Sequence, residues 1–451
     1  VIDAISYILA FVVAISILVA VHEYGHYIVG RWCGMKVLRF SIGFGKPVLM
    51  RRGAAPDRTE YCVSAVPLGG YVRFLDSREA DVTPEDAGRA FDQRPIPARI
   101  AVLLAGPMFN FFFAIFAYWA LFVYGQPELQ PAVGYVEPGS IAAEAGLENG
   151  DRIVRVDDVE TADWETALIT MLDRLVSDGQ VSVTLDDGDG YRRVAVLDAG
   201  ADVARLTEPG VLFDGLGFRP WHPPADVQSL VEGGAADAGG LRVGDRIVAI
   251  DGEAIHSFYD VRRIVLDRPG ETAVLRVLRD GGTFETTVRI GTDERDGKTV
   301  GLLGIGGSSD YGDLRYQRQF GVVESIPRAF ERTWQSSAFT VHMLGRMITG
   351  EVSIKNISGP INIAQYAGES AQAGIDRFLS FLAIVSISLG VLNLLPLPIL
   401  DGGQIVYQVI ELAKGSPLSE RAQILGQQVG IFALILIMSF AFYNDIARIL
   451  G

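Results

Sequence analysis

The chain has 451 residues, a formal net charge of -15 and 49 % hydrophobic side chains. That length is too great for one compact domain, the acidic balance argues against a nucleic-acid partner, and two cysteines, Cys33 and Cys62, give no disulfide framework. The apolar residues gather into runs long enough to cross a bilayer, while the charge falls almost entirely between Gln130 and Gln319. A soluble acidic insert is therefore set into a membrane protein.

The first run, Ile5 to Gly30, contains His22-Glu23-Tyr24-Gly25-His26. It is too long for a signal peptide and lacks a basic start. His22 and His26, four apart, share one helical face, where two imidazoles can take adjacent corners of a tetrahedral zinc site. Glu23 projects beside that face and can take a proton from the attacking water, as in an HExxH metalloprotease. Short HExxH patterns also occur in soluble helices as ordinary, partly buried side chains. Hydrocarbon changes that balance, because ionisable groups at bilayer depth are costly unless paired or coordinated.

After this run come Arg31, Lys36, Arg39, Lys46, Arg51 and Arg52 before any acidic residue, whereas the N-terminal flank has no base. The positive-inside rule puts Arg31 to Arg99 in the cytoplasm and the N-terminus outside. Cys33 and Cys62 read as small buried residues. Phe40 to Met50 and Thr59 to Phe74 mix alternating apolar residues with glycines, as in strands or hairpins. Gly43 and Gly45 flank Phe44 and permit close approach of another backbone; a plain surface hairpin fits the same residues. Leu75 to Pro97 is polar and turn-rich, the pattern of a mobile loop. A second span covers Ile100 to Tyr124.

The insert repeats itself. Gly146-Leu147-Glu148-Asn149-Gly150-Asp151-Arg152-Ile153-Val154 is echoed by Gly240-Leu241-Arg242-Val243-Gly244-Asp245-Arg246-Ile247-Val248, and Leu216-Gly217-Phe218 by Leu303-Gly304-Ile305. A glycine-bounded turn before an alternating strand predicts two small αβ domains. The signature resembles that of PDZ domains, and the Leu-Gly-Phe and Leu-Gly-Ile marks resemble their carboxylate-binding loop. The resemblance implies capture of an extended peptide at a sheet edge. Spacers or a steric gate remain the alternatives.

Ile326 to Gly374 is amphipathic and reads as a helix on the outer membrane surface. His342 there, and His222 and His256 in the insert, lie on the wrong side of the membrane to join His22 and His26. The third span, Phe378 to Leu400, carries Asn393, Pro396 and Pro398 and leads into Asp401-Gly402-Gly403. Prolines free backbone that is tolerated in lipid only where it is buried in protein or lines a wet cavity. Asp401 arrives near the cytoplasmic leaflet and supplies a third ligand, leaving the fourth position for water. An extended HExxHxxGxxH is excluded because Trp32 occupies the place of its last histidine. A fourth span, Gly430 to Ala447, returns the C-terminus to the outside.

HExxH in the first span, Asn393-x-x-Pro396-x-Pro398-x-Leu400-Asp401-Gly402-Gly403 in the third and two PDZ-like repeats between the second and third together resemble the site-2 protease family. The likeness is closest to its branch that regulates sigma-E. It implies zinc on His22, His26 and Asp401, Glu23 as general base and acid, and Asn393 contacting the substrate backbone. Gly43, Phe44 and Gly45 resemble a membrane-reentrant β-loop that holds substrate as an added strand. Leu216, Gly217, Phe218, Leu303, Gly304 and Ile305 would form the peptide-binding loops. The implied activity is regulated intramembrane proteolysis, with cleavage of single-span substrates in the bacterial inner membrane. These substrates are an anti-sigma factor already cut outside, in the envelope stress response, or remnant signal peptides.

The expected fold is a polytopic α-helical membrane protein with four transmembrane helices, a cytoplasmic membrane-associated β-hairpin region and two tandem extracytoplasmic PDZ-like α+β domains. Its expected segments are 1–125, 126–220, 221–310, 311–375 and 376–451, with both termini periplasmic and the active site near the cytoplasmic side. Two rivals come from other classes. A membrane-anchored PDZ adaptor with structural zinc gives no reason for a base beside an open three-ligand site. A transporter would show paired broken helices related as repeats.

Overall fold

A computed structural model of the chain describes residues 2–450 except 201–202, 209, 296–297, 351 and 354–356. Two compact units result. One is built from Pro127–Arg318, the other from Ile2–Gln126, Gln319–Ile348 and the C-terminal part.

Among the described residues, four helices are long and apolar enough to cross a membrane: Ile5–Trp32, Ile96–Tyr124, Ile375–Asn393 and Arg421–Ala447. The first lies in helix α1 (Ile2–Trp32). After it come strands β1 (Val37–Arg52) and β2 (Glu60–Phe74), then helix α2 (Ile96–Tyr124). Gly25 brings α1 and α2 together, since a Cβ there would meet the Ala105 carbonyl oxygen at 2.4 Å. Small residues at such crossings let backbones pack closely where no hydrophobic effect drives association.

The β1–β2 pair is more folded than a simple hairpin. Phe40, Ser41 and Ile42 lie opposite Val72, Tyr71 and Gly70, and also opposite Tyr61, Cys62 and Val63. Met50, Arg51 and Arg52 then lie opposite Cys62, Tyr61 and Glu60. Gly43 and Gly45, at φ 89° and 87°, make the break between the two halves of β1. Gly70–Phe74 thus pairs on one side only. The polar stretch after β2, expected to be mobile, is pinned. Lys36 pairs with Asp86 at 2.6 Å and Arg89 with Asp57 at 2.5 Å, while the Phe91 amide donates to the Leu75 carbonyl at 2.7 Å.

In the other unit the repeat becomes two alike modules. The first holds β3 (Val133–Val136), β4 (Arg152–Val156), β5 (Val159–Glu160), α3 (Trp164–Asp178), β6 (Gln180–Asp186), β7 (Arg192–Asp198) and β8 (Phe218–Pro220). Its four-stranded sheet runs β5-β4-β6-β7, with β3 paired to β8. The second holds β9 (Arg246–Ile250), β10 (Glu253–Ala254), α4 (Phe258–Leu266), β11 (Thr272–Arg279) and β12 (Gly282–Arg289), in the order β10-β9-β11-β12. Ile153, Met171, Leu175, Leu185 and Leu197 fill the first core, and Ile247, Ile250, Leu275 and Val277 the second. Each such side chain contributes about 1.5–3 kcal/mol.

The repeated Gly-Asp has a physical cause. Asp245 accepts the Arg242 amide at 2.7 Å and two guanidinium contacts from Arg279, at 2.6 and 2.7 Å. Asp151 does the same with the Glu148 amide and Arg193. One buried carboxylate closes the turn and clamps it to a strand. Arg279 holds the Asp245 carboxyl below the usual range against the opposing effect of burial.

The C-terminal part holds α5 (Ser325–Thr349), α6 (Pro360–Ala373), α7 (Ile375–Asn393), α8 (Asp401–Lys414) and α9 (Glu420–Leu450). The amphipathic stretch expected as one surface helix is thus two, α5 and α6, and Ala329 of α5 is buried in a cluster with Ala117 and Leu121 of α2. Asp445 of α9, 1 % exposed, caps α6 by accepting the Gly359 and Ile361 amides at 2.8 and 2.9 Å. The third span ends at Asn393 rather than Leu400. Pro396 and Pro398 cannot continue a helix, and Leu394–Leu400 forms an irregular loop before α8 begins at Asp401.

Candidate metal and catalytic centre

Three side chains from two helices converge at one point. His22 and His26, on successive turns of α1, have their Nε2 atoms 3.1 Å apart. Asp401, the first residue of α8, places Oδ2 at 3.2 Å from His22 Nε2 and 3.4 Å from His26 Nε2. That oxygen is buried and makes no properly oriented hydrogen bond.

The triangle fits zinc. Tetrahedral ligands about 2.0–2.1 Å from an ion stand about 3.3–3.4 Å from one another, close to the edges seen here. His26 Nδ1 donates to the Val102 carbonyl at 2.7 Å, which leaves Nε2 with a bare lone pair. A bare imidazole nitrogen and an unpartnered carboxylate oxygen at this separation repel unless a cation lies between them. Among the described residues, His22, His26 and Asp401 form the cluster whose donors could hold a metal ion.

Local sequence explains the convergence. A Cβ on Gly106 of α2 would lie 2.3 Å from His26 Nε2 and 2.8 Å from His22 Cε1, so α2 reaches the histidines only through a glycine. A Cβ on Gly402 would meet the Leu394 carbonyl oxygen at 2.2 Å, and one on Gly403 the Leu397 carbonyl oxygen at 2.1 Å. The two glycines after Asp401 therefore let the proline loop fold back over the start of α8 and fix the carboxylate.

Sequence reasoning missed Asn110. Its side chain is fully buried, with Nδ2 at 3.3 Å from His22 Nδ1 and Oδ1 without a partner. Turning the amide over puts Oδ1 against His22 Nδ1–H, which satisfies the orphan and leaves His22 Nε2 free for a metal. Gly106-Pro107-Met108-Phe109-Asn110 carries no titratable group, so nothing in the sequence drew attention to it.

A cavity of about 420 Å³ holds His22, Glu23, His26, Asn393 and Asp401 together with Gly70–Phe74, Asp76, Arg78, Glu79 and Phe91. Glu23 lies beside the three candidate ligands and the Val72 backbone. Gly70 permits this, because a Cβ there would meet Glu23 Cγ at 3.2 Å and Val19 Cγ1 at 2.7 Å. Gly43, Phe44 and Gly45, expected beside the active-site helix, are not among the lining residues. Phe44 stacks on Tyr71 with ring centroids 6.2 Å apart, and the strand edge at the cavity is Gly70–Phe74.

The two Leu-Gly marks face inward. Leu216, Gly217 and Phe218 are buried, the Gly217 amide caps the preceding turn on the Phe213 carbonyl at 2.8 Å, and the Gly217 carbonyl accepts the Glu137 amide at 2.8 Å. Leu303 is 3 % exposed, and the Leu303 and Gly304 carbonyls accept the Ala236 and Val231 amides, with Ile305 part-exposed.

A helix of membrane-spanning length carrying two imidazoles and a glutamate, met at one cavity by the Asp401 carboxylate at the start of α8, defines a membrane-embedded zinc metalloprotease. The chain belongs to peptidase family M50, the zinc-dependent site-2 protease family, whose profile matches residues 10–437. It is 39 % identical to the regulator of sigma E protease of Salmonella typhi and 38 % identical to the regulator of sigma-E protease RseP of Escherichia coli, over 98 % of each chain in both cases. Protease RseP of Yersinia pestis is 37 % identical, again over 98 % of both chains. A PDZ domain from Listeria monocytogenes matches 19 % of the chain at 19 % identity with a TM-score of 0.17.

Proposed function

We propose that the chain hydrolyses a peptide bond within the membrane-spanning segment of a single-span protein, using His22, His26 and Asp401 to hold zinc and Glu23 as base and acid. The observation that carries this reading is the meeting of those four side chains in one cavity with a strand edge, Gly70–Phe74, which no second strand covers among the described residues and whose Val72 backbone hydrogen-bonds to Glu23.

A peptide bond inside a transmembrane helix is shielded by the hydrogen bonds of its own helix and must be unwound before attack. Gly70–Phe74 offsets that cost by pairing with the unwound segment as an added strand. Asn393 contacts the same segment and orients it toward Glu23. Glu23 takes the proton of the attacking water and delivers it to the leaving nitrogen. Zinc held by His22, His26 and Asp401 would supply Lewis acidity, by which water becomes a nucleophile at neutral pH and the scissile carbonyl is polarised. Val102 and Asn110 hold the two imidazoles in the tautomer and orientation that binding requires.

The relatives named as regulators of sigma-E support a substrate of the anti-sigma type, and remnant signal peptides are a second class of the same chemistry. The basic residues between Arg31 and Arg52 support a bacterial inner membrane protein with that loop and the catalytic cavity on the cytoplasmic side. Both termini and the two repeats are then periplasmic. We read the repeats, at 126–220 and 221–310, as tandem PDZ-like modules that select substrates already trimmed outside. The internal use of the Gly217 amide and carbonyl favours steric selection over capture of a peptide at Leu216–Phe218, with Leu303–Ile305 the matching turn of the second module.

The test is cleavage of a purified single-span substrate, its outer domain removed, by wild type and by Glu23→Gln. We expect cuts inside the span by wild type alone, with equal zinc in both proteins. Cleavage by zinc-loaded Glu23→Gln would remove Glu23 from the mechanism. Absence of cleavage by zinc-loaded wild type across a panel of spans would remove the protease reading.

A further inference from the structure

A second cavity, of about 290 Å³, lies on the β1–β2 element along the row where Arg73, Arg39, Glu60 and Arg52 stand opposite one another, and is lined by Lys36, Leu38, Arg39, Arg52, Asp57, Arg58, Glu60 and Arg73. Five of those side chains are cationic and two anionic, an excess of three positive charges. None belongs to the catalytic cavity except Arg73, which lines both.

The charges are arranged rather than scattered. Glu60 is gripped from both sides, by Arg39 at 2.6 Å on one carboxylate oxygen and Arg52 at 3.1 Å on the other. Arg39, with its Nη1 also donating to the Tyr71 hydroxyl at 3.2 Å, is held in a fixed position. One carboxylate cannot neutralise two guanidinium groups, so the pair keeps a net charge. Asp57 is already engaged by Arg89 and Lys36 by Asp86. Arg58 has no side-chain hydrogen bond or ion pair among the described residues, and Arg73 reaches only the exposed Glu79, at 3.4 Å. Arg58 also sits at φ 49°, a backbone position that favours glycine and that a bulky side chain occupies at a cost.

What such a pocket takes follows from its shape and charge. Forked guanidinium groups around a small concavity match the oxygens of a phosphate, and this volume is near the small end of ligand sites, about 300–1,000 Å³. The source follows from the neighbouring surface. On the same element Val48, Leu49 and Met50 are 68, 68 and 55 % exposed, next in sequence to Arg51 and Arg52. Apolar side chains beside a basic pocket are what a lipid interface accommodates and bulk water does not.

We propose that this pocket binds a phosphate group, the head of an anionic membrane phospholipid, with Arg58 and the solvent-exposed Arg52 and Arg73 as its adjustable ligands and Arg39 as its fixed one. Lipid binding there anchors the element that presents Gly70–Phe74 to the catalytic cavity, with Arg73 on that strand lining both cavities.

The test uses the full-length protein in detergent, titrated with phosphatidylglycerol, with phosphatidylcholine and with inorganic phosphate, and read by native mass spectrometry. Arg58→Ala and Arg58→Ala/Arg73→Ala are compared with Arg51→Ala, which removes the same charge from the same element without touching the pocket. Phosphatidylglycerol should be retained over phosphatidylcholine. Its retention should fall about fivefold for each pocket arginine removed and stay unchanged in Arg51→Ala. Arginine-dependent binding of inorganic phosphate with no retained lipid would support the phosphate site and overturn its lipid source. Retention unaffected by the pocket variants, or lowered equally by Arg51→Ala, would overturn the site. Because the readout is binding, it stands apart from whether the chain cleaves any substrate.

Discussion

Gly106→Ala is the sharpest perturbation the centre offers, because it adds one methyl group and removes none of the ligands. The new carbon would sit 2.3 Å from His26 Nε2, 2.6 Å from His26 Cε1 and 2.8 Å from His22 Cε1. Ordinary contact between such atoms is about 3.5 Å, so the imidazole of His26 must retreat by about 1 Å. Metal sites tolerate ligand displacements of about 0.2 Å. A misplacement of about 1 Å at reacting groups costs about a hundredfold in rate. We expect Gly106→Ala to weaken zinc binding by about tenfold to a hundredfold, and cleavage at matched zinc loading by about a hundredfold. The far-ultraviolet spectrum should stay that of wild type, since alanine is the better helix former. The assay pairs a zinc competition titration with cleavage of the trimmed single-span substrate. Wild-type zinc affinity together with wild-type turnover in Gly106→Ala would refute the geometry on which the centre is built.

Asp401→Asn removes the anionic ligand and should lower bound zinc after dialysis against a chelator; unchanged zinc content would take Asp401 out of the ligand set. Asn110→Ala leaves His22 without its orienting partner and should cost about tenfold to a hundredfold in zinc affinity, measured by the same competition. In the soluble modules, Asp245→Asn breaks a part-buried ion pair and should destabilise the second module by about 1–3 kcal/mol, read from denaturant unfolding. Asp245 also sets a pH dependence. Its folded pKa lies below the unfolded value, so its stabilisation is fully present above about pH 4, the unfolded carboxylate range, and is lost as pH falls through the folded value. Unfolding midpoints taken from pH 6 downward should drop for wild type and stay flatter for Asp245→Asn.

The sequence made the chemistry legible because titratable residues in hydrocarbon demand a reason. His22, Glu23, His26 and Asp401 could be picked out from spacing and depth, and the structure brings these four side chains to one cavity. The groups that orient them could not: Val102 acts through a carbonyl every residue has, and Asn110 and Gly106 lie in an apolar helix without a recognisable period. The β1–β2 element was legible as strands but not in its register, since its glycines fit several foldings; Gly43 and Gly45 make the bend, while Gly70 makes the approach to Glu23. Helix α8 went unseen because it starts directly at a ligand and directly after two prolines, where a loop is the default expectation. The repeat was the easiest feature to find, and Asp151 and Asp245 show why, since the same carboxylate performs the same closure in each copy.

The metal cluster also joins the first helix of the chain to the start of α8. During synthesis the N-terminal histidines emerge and insert long before the residue that completes their coordination. On the proposed ligand set, until Asp401 has left the ribosome and the proline loop has folded over Gly402 and Gly403, the nascent chain has two of the three ligands and no complete site. That ligand set would leave a protease that hydrolyses peptide bonds inside membranes inert through most of its own biogenesis, and a chain truncated before α8 should have no activity.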